Sequence, residues 1–309
     1  MDLSTSIAGV SFHVGVMNAS GALCVTQGEL EALGESAAGA MVTKSMTPLA
    51  REGNPHPRYV AIDGGSINSM GLPNLGYPAY VKLIPELKRF KKPVIASLAG
   101  LHPDDFIEGA KALNAAGPDL VEVNLSCPNI LGKPQIGYDV DETAQLLSAI
   151  RNIFSIPFGV KLPPYFDPIH HQQIAGVLQR IGVAFVTVIN SVGNALVVDP
   201  ELERVVIKPK GGFGGLGGRI IKPVALANVR AFWKIWGDRI PIIGTGGIEN
   251  GTDIFEHVLC GASAVQIGTV LVEEGVGVFS RLAQEVMECL EQKGYPSLMA
   301  CRGKLKEID

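Results

Sequence analysis

A (β/α)8 (TIM) barrel is the fold class this chain predicts, on three observations. Short apolar runs of strand length alternate strictly with longer segments of helical period. The alternation repeats eight times, and no linker or shift of composition divides the 309 residues. Continuous apolar strands joined by helices form a parallel sheet covered by helices, and eight such units close into a barrel. A doubly wound open sheet is the alternative architecture. Positions 1–309 are read as one domain.

The first strand is read at Gly15 to Met17 and the second at Ala40 to Val42, with helical spacing over Glu29 to Ala38 between them. Pro78 to Phe90 is helical and leads to the third strand, Val94 to Leu98; Asp104 to Ala116 leads to the fourth, Leu120 to Val123. Asp141 to Phe154 precedes the fifth strand at Phe158 to Leu162, and Pro168 to Ile181 the sixth at Phe185 to Ile189. Lys222 to Trp236, Ile240 to Ile243, Thr252 to Cys260, Ala264 to Ile267 and Val278 to Lys293 complete the alternation. Each run has the period of 3.6 or the continuous apolar character that its assignment requires.

An apolar content of 47%, a charged content of 18% and a formal charge of -4 describe a globular chain without a basic footprint, which argues against nucleic acid as partner. No stretch reaches the roughly 18 uninterrupted apolar residues of a membrane helix, and Met1-Asp2-Leu3-Ser4 opens without a basic or apolar leader. The protein therefore reads as cytoplasmic, with no membrane contact. The five cysteines are scattered and contain no CxxC pair, so no metal site is signalled.

In a barrel the chemistry sits just past the C-terminal ends of the strands. Those positions here are Asn18-Ala19-Ser20, Thr43-Lys44-Ser45, Asn124 to Asn129, Lys161, Asn190-Ser191, Gly244-Thr245-Gly246-Gly247 and Gly268-Thr269. Within them Asn124-Leu125-Ser126-Cys127-Pro128-Asn129 presents one thiol between two amides, directly after a strand. Cys127 is a candidate base or nucleophile; the plainer reading is a small residue filling a gap, but Asn124 and Asn129 are poor core fillers. Two lysines entering one cleft need an anionic partner once desolvated. Gly246-Gly247 and Gly268-Thr269 follow the seventh and eighth strands, where barrels commonly hold a phosphate on bare backbone, although turn glycines alone would look the same. A mononucleotide such as FMN would satisfy one phosphate and place a ring near Lys161 and Cys127. The run from Gly211 to Gly218 follows no clear strand and reads by default as a surface loop, placed where it could cover a ligand.

Asn68-Ser69-Met70-Gly71-Leu72-Pro73-Asn74, Asn124-Leu125-Ser126-Cys127-Pro128-Asn129, Val160-Lys161, Asn190-Ser191 and Gly214-Gly215-Leu216-Gly217-Gly218 together resemble the dihydroorotate dehydrogenase family, in its soluble class 1A branch. The likeness runs from the first strand to the last helix. It implies an FMN-containing barrel, usually a homodimer, that oxidises dihydroorotate to orotate in pyrimidine synthesis and reduces fumarate to succinate. By this resemblance Cys127 is the catalytic base, with Lys161 and Ser126 beside it. FMN would lie against Ala19, Ser20, Lys44, Ser45, Asn124, Lys161, Ile189, Gly218, Gly246, Gly247, Gly268 and Thr269. Orotate would meet Lys44, Asn68, Met70, Gly71, Leu72, Asn124, Asn129, Asn190 and Ser191, with no metal involved.

The chemistry of these side chains agrees with that division. A planar ring rimmed by carbonyls and N-H groups suits asparagines, which offer a donor and an acceptor together. Lys161 would sit where the flavin gains negative charge. An ordinary thiol, with a pKa of about 8.5, is a weak base near neutrality, so activity should rise with pH unless the site lowers that value. Asn68 and Asn74 could equally be turn formers, and Pro128 to Gly137 either a lid or an irregular loop. A class 1B relative using NAD through an FAD and iron-sulfur subunit, an FMN barrel for another dihydropyrimidine, and a non-enzymatic barrel are the competing readings. His170 and His171 read as solvated, and Trp233 and Trp236 as packing residues.

Overall fold

A computed structural model of the chain describes residues 1–127 and 135–308. Eight strands form one parallel sheet: β1 (Val16–Asn18), β2 (Met41–Val42), β3 (Val94–Leu98), β4 (Leu120–Asn124), β5 (Phe158–Leu162), β6 (Val186–Val188), β7 (Ile242–Thr245) and β8 (Ala264–Ile267). Their order is β1-β8-β7-β6-β5-β4-β3-β2, with every pairing parallel. The sheet curls until β1 and β2 meet. There no ladder forms; the gap is bridged by one backbone bond, Gly39 N to Val16 O (2.8 Å), and by the side chain of Asn18. Its amide donates to Val42 O (2.7 Å) and accepts from Val42 N (2.8 Å).

Around the sheet lie α1 (Gln27–Glu35), α2 (Tyr77–Leu87), α3 (Pro103–Ala116), α4 (Val140–Arg151), α5 (Pro168–Ile181), α6 (Lys222–Trp236), α7 (Gly251–Cys260), α8 (Thr269–Glu274) and α9 (Val278–Lys293). Their starts are signposted locally. Thr26 caps α1 and Asn250 caps α7 with reciprocal capping boxes, and prolines occupy the first turns of α3, α5 and α6, where a missing N-H costs nothing. The short α8, directly after β8, is an addition to the expected eight helices.

Strand period 2 sorts the barrel strands into two faces. Outward residues such as Val121, Val123, Val160, Val186 and Val265 pack on the helices in the main core. Inward residues at the N-terminal end, Met17, Val42, Ile95, Leu120, Phe185, Ile243 and Ala264, form a second apolar cluster, closed from below by Ile7 and Phe12 of the hairpin Thr5–Ile7/Val10–Phe12. One layer higher the inward positions turn polar: Ser97, Glu122, Lys161, Thr187 and Gln266, all buried. The barrel thus has a dry floor and a polar upper storey beneath its mouth.

Over that mouth stands an antiparallel sheet in the order Val192–Leu196, Phe213–Gly217, Gly65–Asn68, Tyr59–Ile62. The glycine-rich run is therefore not a surface loop, since Phe213–Gly217 is an inner strand of this sheet. With three glycines in five residues it carries no readable alternation, yet bare backbone is what its position needs at Gly214, where a Cβ would strike Asn68 O. Gly218, at φ 86, lies so close to Gly65 that a Cβ would strike that residue's backbone. His171 also departs from expectation: it is buried, with its ring against Asp167 O (3.0 Å) and Asn228 Oδ1 (3.1 Å). His170 is exposed. Trp236 stacks on Phe232 inside the core, while Trp233 lies under the Arg302 guanidinium.

Candidate active site

A cavity of about 390 Å³ opens between the barrel mouth and the antiparallel sheet, within the range of small-ligand sites. The strand ends supply its floor: Ala19 and Ser20 after β1, Lys44 and Ser45 after β2, Asn124 and Cys127 at and after β4, Lys161 of β5, Ile189 to Ser191 after β6, and Gln266 of β8. Gly246 and Gly247 after β7, with Gly268 and Thr269 after β8, form one wall. Asn68, Met70, Gly71, Leu72, Gly217 and Gly218 form the other, so every described residue assigned to cofactor or substrate lines one space. Asn129 lies outside the described residues, as does the 128–134 part of the suggested lid.

Ser126 is the exception among the expected site residues, because it is fully buried behind the wall. Its hydroxyl touches Asn124 Oδ1 (3.1 Å) and Lys161 O (3.0 Å) and accepts from Asn190 Nδ2 (3.0 Å). It thereby fixes two asparagines that do face the cavity. Asn124 donates to Ser45 Oγ (3.0 Å), which in turn meets Ser97 Oγ (2.9 Å). Asn190 Oδ1 accepts from Ser191 N (2.8 Å), and Asn68 Nδ2 donates to Gly215 O (3.2 Å) across the sheet. Asn74, by contrast, is a turn former: it bonds Thr47 Oγ1, Leu72 O and Gly76 N and holds the 70–74 segment in shape.

Both lysines are almost fully buried, and they differ in their partners. Lys161, 3% exposed, donates to Gln266 Oε1 (2.9 Å). Burial pulls its pKa below the ordinary lysine value, and the nearby Glu122 carboxylate opposes that shift. Lys44, 5% exposed, has no hydrogen bond or ion pair with any described side chain. A buried ammonium that no carboxylate pairs with calls for an anionic ligand, although Glu29 also borders the cavity. Cys24 lies close to both lysines, but burial pushes its thiol up to about 12, which leaves it inert. Cys127 is half-buried and borders the mouth cavity, as well as a smaller one lined by Leu101, His102 and Gln135.

Several contributors carried no signal in the sequence. Tyr59 brings a buried hydroxyl with no protein partner among the described residues to the cavity wall. Ser66 Oγ meets Thr269 Oγ1 at 3.3 Å, joining the sheet to the glycine wall. Beneath that wall, buried His257 bonds Gly246 O through Nε2 (3.0 Å); burial depresses its pKa to about 4, so the neutral ring donates to the carbonyl. Gly247, at φ 77, packs against the start of α6 so tightly that a Cβ would strike Lys222. Buried cations, bare glycine backbone, the Thr269 hydroxyl and the unsatisfied Tyr59 hydroxyl together make a donor set suited to a phosphate and a polar planar ring.

A family profile described as "Dihydroorotate dehydrogenase" matches residues 2–290. The chain is 49% identical over 310 residues to a dihydroorotate dehydrogenase (fumarate) of Kluyveromyces lactis, covering 99% of this chain and 98% of the relative. It is 49% identical over 312 residues to dihydroorotate dehydrogenase A (fumarate) of Lactococcus lactis subsp. cremoris, covering 99% and 100%. Its fold is similar to that of the Eimeria tenella enzyme crystallised with ferulenol, at TM-score 0.83 and 22% identity over 98% of this chain and 88% of that one.

Proposed function

The chain belongs to the dihydroorotate dehydrogenase family, and on that premise we propose that it oxidises dihydroorotate to orotate with fumarate as electron acceptor. The family is flavin-dependent, and we assign FMN as the flavin of this chain. Full-length likeness to relatives named as fumarate enzymes favours this reading over a class 1B subunit. The single observation that carries the residue assignment is the half-buried thiol of Cys127 bordering the same cavity as two buried lysines.

When bound, FMN would supply the two-electron chemistry that links oxidation of dihydroorotate to reduction of fumarate. Cys127 removes the proton from the carbon alpha to the ring carbonyl, a step general bases accelerate by about two to four orders of magnitude. Asn68, Asn124 and Asn190, pre-oriented by Gly215, Ser45 and Ser126, address the carbonyl and N-H edges of the pyrimidine. Lys44 would meet the substrate carboxylate, and Lys161 would offer a buried cation to the negative charge of a reduced flavin. Gly246, Gly247, Gly268 and Thr269 would hold the phosphate. Ser126 acts through the asparagines it fixes, not on the substrate.

No described helix is long and apolar enough to cross a membrane. We place the enzyme in the cytoplasm, as a homodimer acting on small molecules. Anaerobic mixing tests the function: dihydroorotate should bleach the flavin, and fumarate added afterwards should restore its colour. Restoration by NAD without a second subunit would overturn the assignment.

A further inference from the structure

The polar storey inside the barrel contains one carboxylate, and nothing in the proposed chemistry uses it. Glu122 sits at the centre of β4, fully buried, with its side chain pointing inward between Leu120 below and Asn124 above. Its Oε2 accepts from Thr187 Oγ1 of β6 (2.7 Å) and from Gln266 Nε2 of β8 (2.8 Å). The other end of the same Gln266 amide, Oε1, accepts from Lys161 Nζ of β5 (2.9 Å). An amide has one donor end and one acceptor end, so these contacts define a single direction: ammonium to carbonyl, amide N-H to carboxylate. Glu122 Oε1 has no donor among the described residues.

A buried charge is tolerated when it is paired and hydrogen-bonded, and an uncompensated one shifts towards its neutral form. Four groups bear on Lys161. Glu122 from β4 is the one whose carboxylate favours the cation; Gln266 from β8 accepts its proton; Lys44 from beyond β2 repels it; and Cys24, from beyond β1, lies near with its thiol protonated. Burial works against the ammonium, and the carboxylate relayed through Gln266 works for it. We propose that Glu122 is a positioning residue that keeps Lys161 charged and, through Gln266, aims it at the flavin from the barrel interior. The proposal rests on the placement of Lys161 beside the flavin.

The consequence is a count of protons. With Glu122 present, Lys161 is a cation whether the flavin is oxidised or reduced, so reduction draws no proton onto it. In Glu122→Gln, burial acts without that opposing carboxylate, so a larger share of Lys161 is neutral beside the oxidised flavin. The negative charge arriving on reduction then raises its proton affinity, so reduction takes up more protons than in the parent, to a limit of one further proton per flavin. Two measurements separate the links of this argument. Side-chain 15N NMR of the flavin-free protein, with Lys161 assigned by loss of its signal in Lys161→Gln, reports the lysine's charge against pH. Potentiometry of the FMN-loaded protein against pH reports the proton count.

The expected result is a Lys161 that loses its proton at lower pH in Glu122→Gln than in the parent, together with a steeper pH dependence of the variant's potential. Gln266→Met, which cuts the relay and keeps both charges, should move the lysine titration in the same direction by less, and it decides the matter alone should Glu122→Gln fail to fold. An unmoved Lys161 titration in the folded variants would overturn the role of Glu122. A Lys161 that loses its proton while the flavin's proton count stays parental would instead overturn the placement of Lys161 beside the flavin, and the proposal with it.

Discussion

Lys44→Met separates what the protein needs from what its ligand needs. The substitution keeps most of the buried stem and removes only the charge. Because no described side chain pairs with the Lys44 ammonium, the folded protein loses no ion pair or hydrogen bond, and the ligand-free variant should be at least as stable as the parent. The bound state is different. A charge-assisted hydrogen bond to the orotate carboxylate is worth roughly 1.5 to 3 kcal/mol, so orotate should bind about ten- to a hundredfold more weakly. At saturating orotate each tenfold loss removes about 1.4 kcal/mol of ligand-induced stabilisation, so the two effects have opposite signs in one thermal-shift experiment. Titration of the flavin absorbance with orotate gives the affinity directly. Unchanged affinity in a variant that retains FMN would show that the carboxylate does not meet Lys44.

Cys127→Ala should keep FMN and orotate binding yet slow flavin reduction by about two to four orders of magnitude, with Cys127→Ser between and its residual activity moved to higher pH; parental stopped-flow rates in the alanine variant would return Cys127 to a packing role. His257 is held neutral by burial, with its folded pKa of about 4 below the ordinary histidine value. Its contribution to stability is therefore complete above about pH 6.5 and is lost as pH falls towards 4, by up to about 3 kcal/mol; urea denaturation should show that slope in the parent and a flatter one in His257→Gln. Gly218→Ala should destabilise by about 1 to 3 kcal/mol, since the residue sits at φ 86 against Gly65, and should weaken FMN retention; a variant with parental melting and flavin content would contradict the close approach.

The barrel was legible because its signal is repetitive: eight apolar runs and their helices each obey a local period, and errors at single boundaries do not disturb the alternation. The site residues at strand ends were legible for the same reason, since the fold assigns those positions to one face before any side chain is considered. What stayed hidden depends on contacts distant in sequence. Phe213–Gly217 pairs with Gly65–Asn68, almost 150 positions away, through glycines that display no alternation. Glu122 and Gln266 are single polar residues within otherwise apolar runs, and their partnership with Lys161 spans three strands. His171 follows a run of exposed residues on α5 and is buried because Tyr165, with Asn228 and Phe232 of α6, meets it there.

The junction of β1 and β2 gives the ring a particular vulnerability. Elsewhere neighbouring strands are joined by main-chain groups, which every residue possesses, so closure there is indifferent to mutation. At this junction the amide of Asn18 supplies both a donor and an acceptor to Val42, and Ala19-Ser20 on one side and Lys44-Ser45 on the other follow within three residues. Aspartate could accept but not donate, and leucine could do neither. Beside the one main-chain bond from Gly39, closure of the ring thus rests on a single side chain, and drift at that codon would be felt first in the spacing of the groups around the mouth.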